Sequence, residues 1–280
     1  MMFSDILLTV DYDRTMTNYA NEIPQRNLDA IRYFMENGGT FTVNTGRSFP
    51  MSREVLKSVP MNAPFLGYNG SLTLENGQPV NPYIIDLPLE ETLWRICAQF
   101  PDLNVDLHGI DAHYGFQPRG CWEEFYTKRE CPHHVAKPGM DFGPFLKFNV
   151  SGPFRDYTMQ QGFDGTDALI ARIDEATQWL EETYGDKLTI LRAGATFLNV
   201  HAKGVSKLRS ARDLQKRLDK KILICVGDEE NDRAMLEGAD FSFSPAGSPM
   251  AKEFPPVCSC EEGAVADVIE KEIPKILKGL

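Results

Sequence analysis

The chain has 280 residues, 42 % of them hydrophobic and 25 % charged, a balance that reads as an ordinary globular protein and leaves room for two domains without a disulfide framework. Lys and Arg number 29 against 40 Asp and Glu, a net charge of −11, which argues against non-specific binding to nucleic acid or to an anionic membrane but not against a small anionic ligand that needs only local positive charge. The six cysteines (Cys97, Cys121, Cys131, Cys225, Cys258, Cys260) contain no C-x-x-C pair, no stretch approaches the ~20 apolar residues that span a bilayer, and no signal peptide is recognisable. The chain therefore reads as a reduced, cytoplasmic protein with no nucleic-acid or membrane partner; the expected assembly is a monomer or homodimer.

The first portion alternates strand-like and helix-like segments. Residues 5–10 read as a buried strand. Residues 24–37 read as a helix with Pro24 near its start, Leu28, Ile31 and Met35 on one face, and Gly38-Gly39 as its end. Thr40 to Val43 is a second strand, residues 49–58 a further helix, and Phe65 to Tyr68 a third strand. Asn76-Gly77, between Ser71–Leu74 and the strand near Val80, is a strong hairpin signal. Strand–helix alternation of this kind implies a parallel sheet covered on both faces.

The pattern changes after residue 81. Residues 88–100 form an amphipathic helix with Leu89, Leu93, Ile96, Cys97 and Phe100 at helical spacing. An irregular stretch, 101–144, rich in Gly, Pro, His and aromatics, follows. Then come a strand at Phe145 to Val150, a helix over 166–184 with Leu169, Ile173, Ala176 and Leu180 on one side, and an antiparallel pair at Leu188–Leu191 and Thr196–Val200. The alternation resumes with a helix over 206–218 capped by Ser206, the apolar strand Ile222–Val226, a short helix after Asn231, short strands at Phe241–Phe243 and Val257–Cys260, and a helix over 263–278. The expected architecture is α/β: a doubly wound, mostly parallel Rossmann-like core formed by 1–81 and 201–280, with 82–200 inserted as an α+β cap domain.

Three apolar strands end in polar clusters: Asp11 and Asp13, then Thr45-Gly46-Arg47, then Gly227-Asp228-Glu229-Glu230-Asn231-Asp232. In an open parallel sheet these ends share one edge, the edge at which ligands bind. Carboxylates are costly to bury without a cation or donors around them. A metal, a reacting group or both are expected there.

These residues resemble the four motifs of the haloacid dehalogenase-like phosphatases, most closely the Cof-type branch. The first is Asp11-Tyr12-Asp13-Arg14-Thr15, similar to the family's D-x-D-G-T. The second is Thr45 within Asn-Thr-Gly-Arg, the third Lys207 within Gly-Val-Ser-Lys, and the fourth Gly227-Asp228-Glu229-Glu230-Asn231-Asp232, similar to G-D-x-x-N-D. Tyr68-Asn69-Gly70 and Glu262-Gly263-Ala264-Val265 agree as minor signatures. The insertion falls where this family keeps its larger cap.

The resemblance implies hydrolysis of a small phosphorylated metabolite, in the manner of a sugar phosphatase, with Mg²⁺ as cofactor. Asp11 would be the nucleophile and form an aspartyl-phosphate, and Asp13 the acid and base. Mg²⁺ would be held by Asp11, Asp228 and the backbone carbonyl of Asp13, with Asp232 bound directly, through water, or standing behind the ligands. Thr45 offers a hydroxyl and a backbone N–H to phosphate; Gly46 and Lys207 belong to the same phosphate-binding set, Asn231 donates to phosphate or to its neighbours, and Arg47 either contacts substrate or braces the loop through a carboxylate. Lys203, four residues before Lys207, competes for the lysine role, but only Lys207 fits the motif and the first turn of a helix.

Arg14 stands where the family usually has glycine, and either points outward or reaches the substrate anion. Glu229 and Glu230 read as exposed or supporting carboxylates. In the cap, Trp122, His133, His134 and Arg192 are candidate substrate contacts, although such residues are more often structural, Trp as core and adjacent histidines as surface loop. Two alternatives stay open: a phosphomannomutase-like phosphotransferase, and a metal- and phosphate-binding sensor with little turnover.

Overall fold

The computed structural model describes residues 2–154 and 166–279. In chain order its elements are β1 (Ile6–Val10), α1 (Gln25–Glu36), β2 (Thr40–Val43), α2 (Arg53–Ser58), β3 (Phe65–Gly67), β4 (Leu72–Glu75), β5 (Gln78–Val80), α3 (Leu89–Gln99), β6 (Asn104–His108), β7 (His113–Gln117), α4 (Trp122–Lys128), β8 (His133–Val135), β9 (Lys147–Ser151), α5 (Asp167–Tyr184), β10 (Leu188–Arg192), β11 (Phe197–Ala202), α6 (Lys207–Arg217), β12 (Ile222–Val226), α7 (Arg233–Glu237), β13 (Phe241–Pro245) and β14 (Pro256–Val257). A helical segment from Ala264 to Gly279 follows. None of the described helices is long and apolar enough to cross a membrane.

The chain divides into two compact units: Met1–Gly46, Arg53–Asn81 and Ser206–Leu280 form one, and Arg47–Ser52 with Pro82–Val205 the other. The return crossing thus lies after residue 205 and not after 200. The reason is local: β11 runs on to Ala202, and Lys203 N–H donates to Lys187 O at 3.0 Å, so this stretch is still tied to the insertion. Residues 47–52, expected in the core, also group with the second unit.

In the first unit, five strands lie in the order β14-β13-β12-β1-β2, all parallel. Every residue of β1 is buried, as the uninterrupted apolar run requires of a strand covered on both faces. Leu7, Leu223 and Cys225 pack with Ala211 and Leu214 of α6 and Met235 and Leu236 of α7. Ile6, Leu8 and Val10, which point the other way, are equally buried. The three strands whose ends carry the polar clusters are β12, β1 and β2, and they are immediate neighbours.

Local readings hold where the side-chain pattern is unambiguous. The β4–β5 hairpin turns at Asn76 (φ 52°) and Gly77 (φ 74°), as a type I′ turn demands. The α1 face differs by one position: Asn27, Ala30, Ile31 and Phe34 are buried, so that of the expected Leu28, Ile31 and Met35 only Ile31 lies on the buried face. Asn27 turns the helix inward because its amide donates to Met16 O at 3.0 Å and its Oδ1 accepts from Ala266 N at 2.9 Å. The expected C-terminal helix widens into a π-turn at Val268–Glu272. Pro274 has no N–H for the carbonyl four residues back, and a π-turn accommodates that gap. Helix 49–58 splits into a 3₁₀ turn, Pro50–Ser52, and α2.

The second unit holds a six-stranded sheet, β10-β11-β9-β6-β7-β8, antiparallel except for the β7–β8 pair. Its apolar face, including Val105, Leu107, Phe148, Val150, Leu198 and Val200, joins one core with Leu93 and Ile96 of α3 and Ile173, Ala176 and Leu180 of α5. The stretch 101–144, read as irregular, contains β6, β7, α4 and β8. The misreading has a physical cause. The alternate face of these strands is polar yet buried: Asn104, Asp106, His108, His113, Asn149 and Ser151 are each at most 6 % exposed. Polar residues at this density resemble a loop until the tertiary partners are known.

Candidate active site

The end of β1 passes directly into the first acidic cluster. Asp11 N–H donates to Val226 O at 2.9 Å, which extends the β1–β12 ladder by one residue and fixes Asp11 beside the end of β12. The backbone then closes a turn in which Tyr12 O accepts from Met16 N and Thr17 N, both at 3.0 Å. Asp13 lies half-buried in this turn. Thr15 reaches across and donates its hydroxyl to Asp228 Oδ1 at 3.0 Å.

Lys207 occupies the first position of α6, behind the cap Ser206, whose hydroxyl accepts from Arg209 N. The Lys207 side chain is fully buried and donates to Asp11 Oδ1 at 2.5 Å and Asp232 Oδ1 at 2.6 Å. A cation at a helix N-terminus opposes the helix dipole; two carboxylates offset it here. Lys203, by contrast, is exposed and donates to Gly185 O within the second unit.

Asp232 is held on both oxygens: Oδ1 by Lys207, and Oδ2 by the backbone N–H groups of Asp228 at 3.0 Å and Glu229 at 3.2 Å. Its carboxylate is packed so closely on Gly227 that a Cβ there would stand 2.5 Å from Asp232 Cγ. The loop after β12 is thus wound around Asp232, and the winding presents Asp228. Carboxylate oxygens of Asp11, Asp228 and Asp232 lie within 4.8 Å of one another, all three residues buried.

The electrostatics follow. Burial pushes the Asp11 carboxyl up to about 7, against the attraction of Lys207 and with the repulsion of Asp232 and Asp13. Burial, then Asp11 and Asp232, raise Asp228 well above the usual carboxylate range. Burial would lower Lys207, but Asp11 and Asp232 outweigh it and raise its affinity for the proton. One lysine does not compensate three buried carboxylates. An all-oxygen, clustered, charge-deficient donor set of this kind fits a hard divalent ion such as Mg²⁺.

Thr45, at the end of β2, is buried. Its backbone N–H, expected to serve phosphate, donates instead to Leu66 O at 2.9 Å. Asn69 N–H donates to Thr45 O at 3.0 Å, and Asn69 Oδ1 accepts from Asn231 Nδ2 at 3.2 Å. Asn231 therefore spends one amide hydrogen on a neighbour. A Cβ on Gly46 would come within 2.8 Å of Asn69 Oδ1, the reason for glycine there. Arg47 opens the segment that belongs with the second unit.

Asn69 is the residue whose importance the sequence understated. Tyr68 and Asn69 both hold left-handed backbone (φ 53° each), followed by Gly70 at φ 97°. Two such non-glycine residues in succession are costly and mark a position fixed by its surroundings. A Cβ on Gly70 would lie 2.5 Å from Ser206 O, beside Lys207. The turn thus touches the Thr45 loop, Asn231 and the start of α6. Asn44 adds a further tie, donating to Lys207 O at 2.9 Å. The signals were present as Asn-Gly and as the asparagine before Thr45.

In the second unit the candidate residues fare differently. Trp122 is 1 % exposed and packs with Phe125, Tyr126, Cys131 and Phe154. His133 Nδ1 pairs with Cys131 O at 2.8 Å, His134 is exposed, and Arg192 donates to Asp174 at 2.6 Å. The buried polar cluster lies elsewhere. His108 Nε2 stands 2.8 Å from Asp106 Oδ2, which also accepts from Tyr126 OH at 2.8 Å. His113 Nε2 pairs with Ser48 Oγ at 2.7 Å, and the two imidazoles stack at 3.8 Å. Burial lowers both histidines well below their usual value, so they are neutral members of a hydrogen-bonded network.

The sequence model for haloacid dehalogenase-like hydrolases matches residues 8–246. No curated protein matches the chain in sequence. Among solved structures, a phosphatase of the haloalkanoate (HAD) enzyme superfamily from Bacteroides thetaiotaomicron aligns with TM-score 0.77 at 18 % identity, over 98 % of this chain and 96 % of that one. A haloacid dehalogenase-like hydrolase from B. subtilis aligns with 0.76 at 16 %, over 95 % and 99 %. A HAD subclass IIB sugar phosphatase aligns with 0.74 at 15 %, over 95 % and 99 %.

Proposed function

The chain belongs to the haloacid dehalogenase-like hydrolases, and from that premise we propose that it is a Mg²⁺-dependent phosphatase acting on a small phosphorylated metabolite, a sugar phosphate in the first instance. The observation that carries the reading is the placement of Lys207 between Asp11 and Asp232, with Asp228 beside them, at the ends of β1 and β12. The sugar phosphatase with the same fold supports the substrate class.

Asp11, Asp228 and Asp232 would hold the Mg²⁺. That ion supplies positive charge for the phosphoryl oxygens and lets the Asp11 carboxyl ionise near neutral pH. Asp11 attacks phosphorus; an Oδ–P bond forms as the bond to the leaving oxygen breaks. Asp13 gives its proton to that oxygen, releasing the alcohol and leaving an aspartyl-phosphate. Asp13, now a carboxylate, takes a proton from water, whose oxygen attacks phosphorus. The Oδ–P bond then breaks, inorganic phosphate leaves and Asp11 is regenerated. Lys207 and the Thr45 hydroxyl stabilise charge on the transferring group. Asn69 and Asn231 keep the Thr45 loop and the β12 loop in register.

The test is a panel of sugar phosphates and related monoesters assayed with and without Mg²⁺, alongside Asp11→Asn. Phosphate release that needs Mg²⁺ and is lost in Asp11→Asn is expected. Full release by Asp11→Asn, or full activity after thorough chelation, rules the mechanism out. Conversion of a sugar phosphate to its isomer without phosphate release would point to a phosphotransferase instead.

A further inference from the structure

Arg14 sits one residue beyond Asp13, at φ 57°, in a region where a side chain brings a penalty that glycine does not bear. Its guanidinium meets Glu229 Oε1 at 3.7 Å and lies over the Tyr19 ring, 5.9 Å from the centroid. Glu229 follows Asp228 directly, and its carboxylate caps the turn Glu230–Asp232. The pair therefore joins the two loops that carry Asp11 and Asp228. Both side chains are partly exposed, 43 % and 37 %, whereas Lys207, committed to Asp11 and Asp232, has no exposure at all. Arg14 is the cation paired with Glu229 among the described ion pairs.

An incoming phosphate monoester is itself an anion. At the rim it meets the charge of Glu229 beside Asp228, and Lys207 is spent on the carboxylates behind. We propose that Arg14 is a positioning residue that acts through Glu229: it cancels the Glu229 charge at the rim so that a phosphate group can approach, and this is what holds an arginine at a backbone position suited to glycine. The inference rests on the phosphatase reading for the identity of the anion. Unit charges near a protein surface interact through a high effective dielectric, so the effect is modest and acts on binding, not on the chemical step.

The experiment compares wild type with Arg14→Gly, Arg14→Lys, Glu229→Gln and Arg14→Gly/Glu229→Gln. Glycine keeps the backbone conformation, so Arg14→Gly is expected to fold. The readouts are the Kd for inorganic phosphate by calorimetry with Mg²⁺, and KM and kcat for p-nitrophenyl phosphate. At low salt Arg14→Gly should raise Kd and KM by roughly three- to tenfold with kcat held to within about twofold. Arg14→Lys should recover most of the loss, the double variant should return to near wild type, and high salt should shrink the difference. Unchanged Kd and KM in Arg14→Gly overturn the proposal. So does a double variant as impaired as Arg14→Gly, since Arg14 would then contact the anion directly. If wild type releases no phosphate, the phosphatase reading fails, while the Kd series still decides whether Arg14 offsets Glu229.

Discussion

Lys207 Nζ lies 2.5 Å from Asp11 Oδ1 and 2.6 Å from Asp232 Oδ1, with no exposure of the lysine side chain. Breaking a buried ion pair from one side leaves uncompensated charge and typically costs about 3–5 kcal/mol. Lys207→Met should lose that order of stability in chelator, measured by urea unfolding, and recover part of it when Mg²⁺ is added. Turnover should fall by at least about 100-fold, as for loss of a charge that stabilises a transition state. A Lys207→Met protein as stable as wild type in chelator would mean that the carboxylates simply take up protons.

The acidic cluster also sets a pH dependence. Asp11 is raised to about 7 and Asp228 is raised well above its usual range, so each binds its proton more tightly in the folded chain than in the unfolded one. The stability this contributes is complete below the unfolded carboxylate value near about 4 and is lost as pH rises through the folded values. Bound Mg²⁺ would relieve that loss. Its stabilisation, read as the gain in Tm on adding Mg²⁺, should therefore be larger at about pH 8 than at about pH 5. Equal gains at both would show that the cluster is already ionised at the lower pH.

Asn69 separates backbone strain from side-chain contact. Its φ is 53°, and left-handed backbone disfavours alanine by roughly 1–2 kcal/mol relative to glycine. Asn69→Ala should be less stable than Asn69→Gly by about that amount. Both lose the acceptor for Asn231 Nδ2 and should lose activity together, by about tenfold if the bond contributes about 1 kcal/mol or slightly more. Thermal melts and steady-state assays on the two variants decide between strain and contact.

Gly227 is the tightest backbone approach in the acidic loop. The Cβ of Gly227→Ala would stand 2.5 Å from Asp232 Cγ and drive that carboxylate off Lys207 and off the Asp228 and Glu229 N–H groups. Overpacking of this kind costs about 1–3 kcal/mol. The expected signature is a lower melting temperature together with weaker Mg²⁺ binding by calorimetry. Unaltered Mg²⁺ binding would place Asp232 outside the metal site.

Much of the site was legible because its chemistry is concentrated at strand ends. The run Ile6–Val10 admits only a buried strand, and the same holds for Ile222–Val226, so Asp11 and Asp228 had to emerge at sheet edges. What the sequence concealed lay where polar groups are buried by partners distant in the chain. Asp106, His108 and His113 occupy strands that looked like loop, because each polar residue is paid for by Tyr126, Asn149 or Ser48. Trp122, His133, His134 and Arg192 drew attention by residue type, and the structure engages Trp122, His133 and Arg192 in local packing or bonds.

The sequence by itself determined the parallel core, the interruption by an inserted unit, and the acidic, hydroxyl and lysine groups that the core supplies, since hydrophobic periodicity and motif spacing are local properties. Tertiary structure alone decided which lysine is buried, that the Thr45 N–H is spent on Leu66, and that Asn69 braces two loops. Each of these depends on hydrogen bonds between groups that only folding brings within about 3 Å.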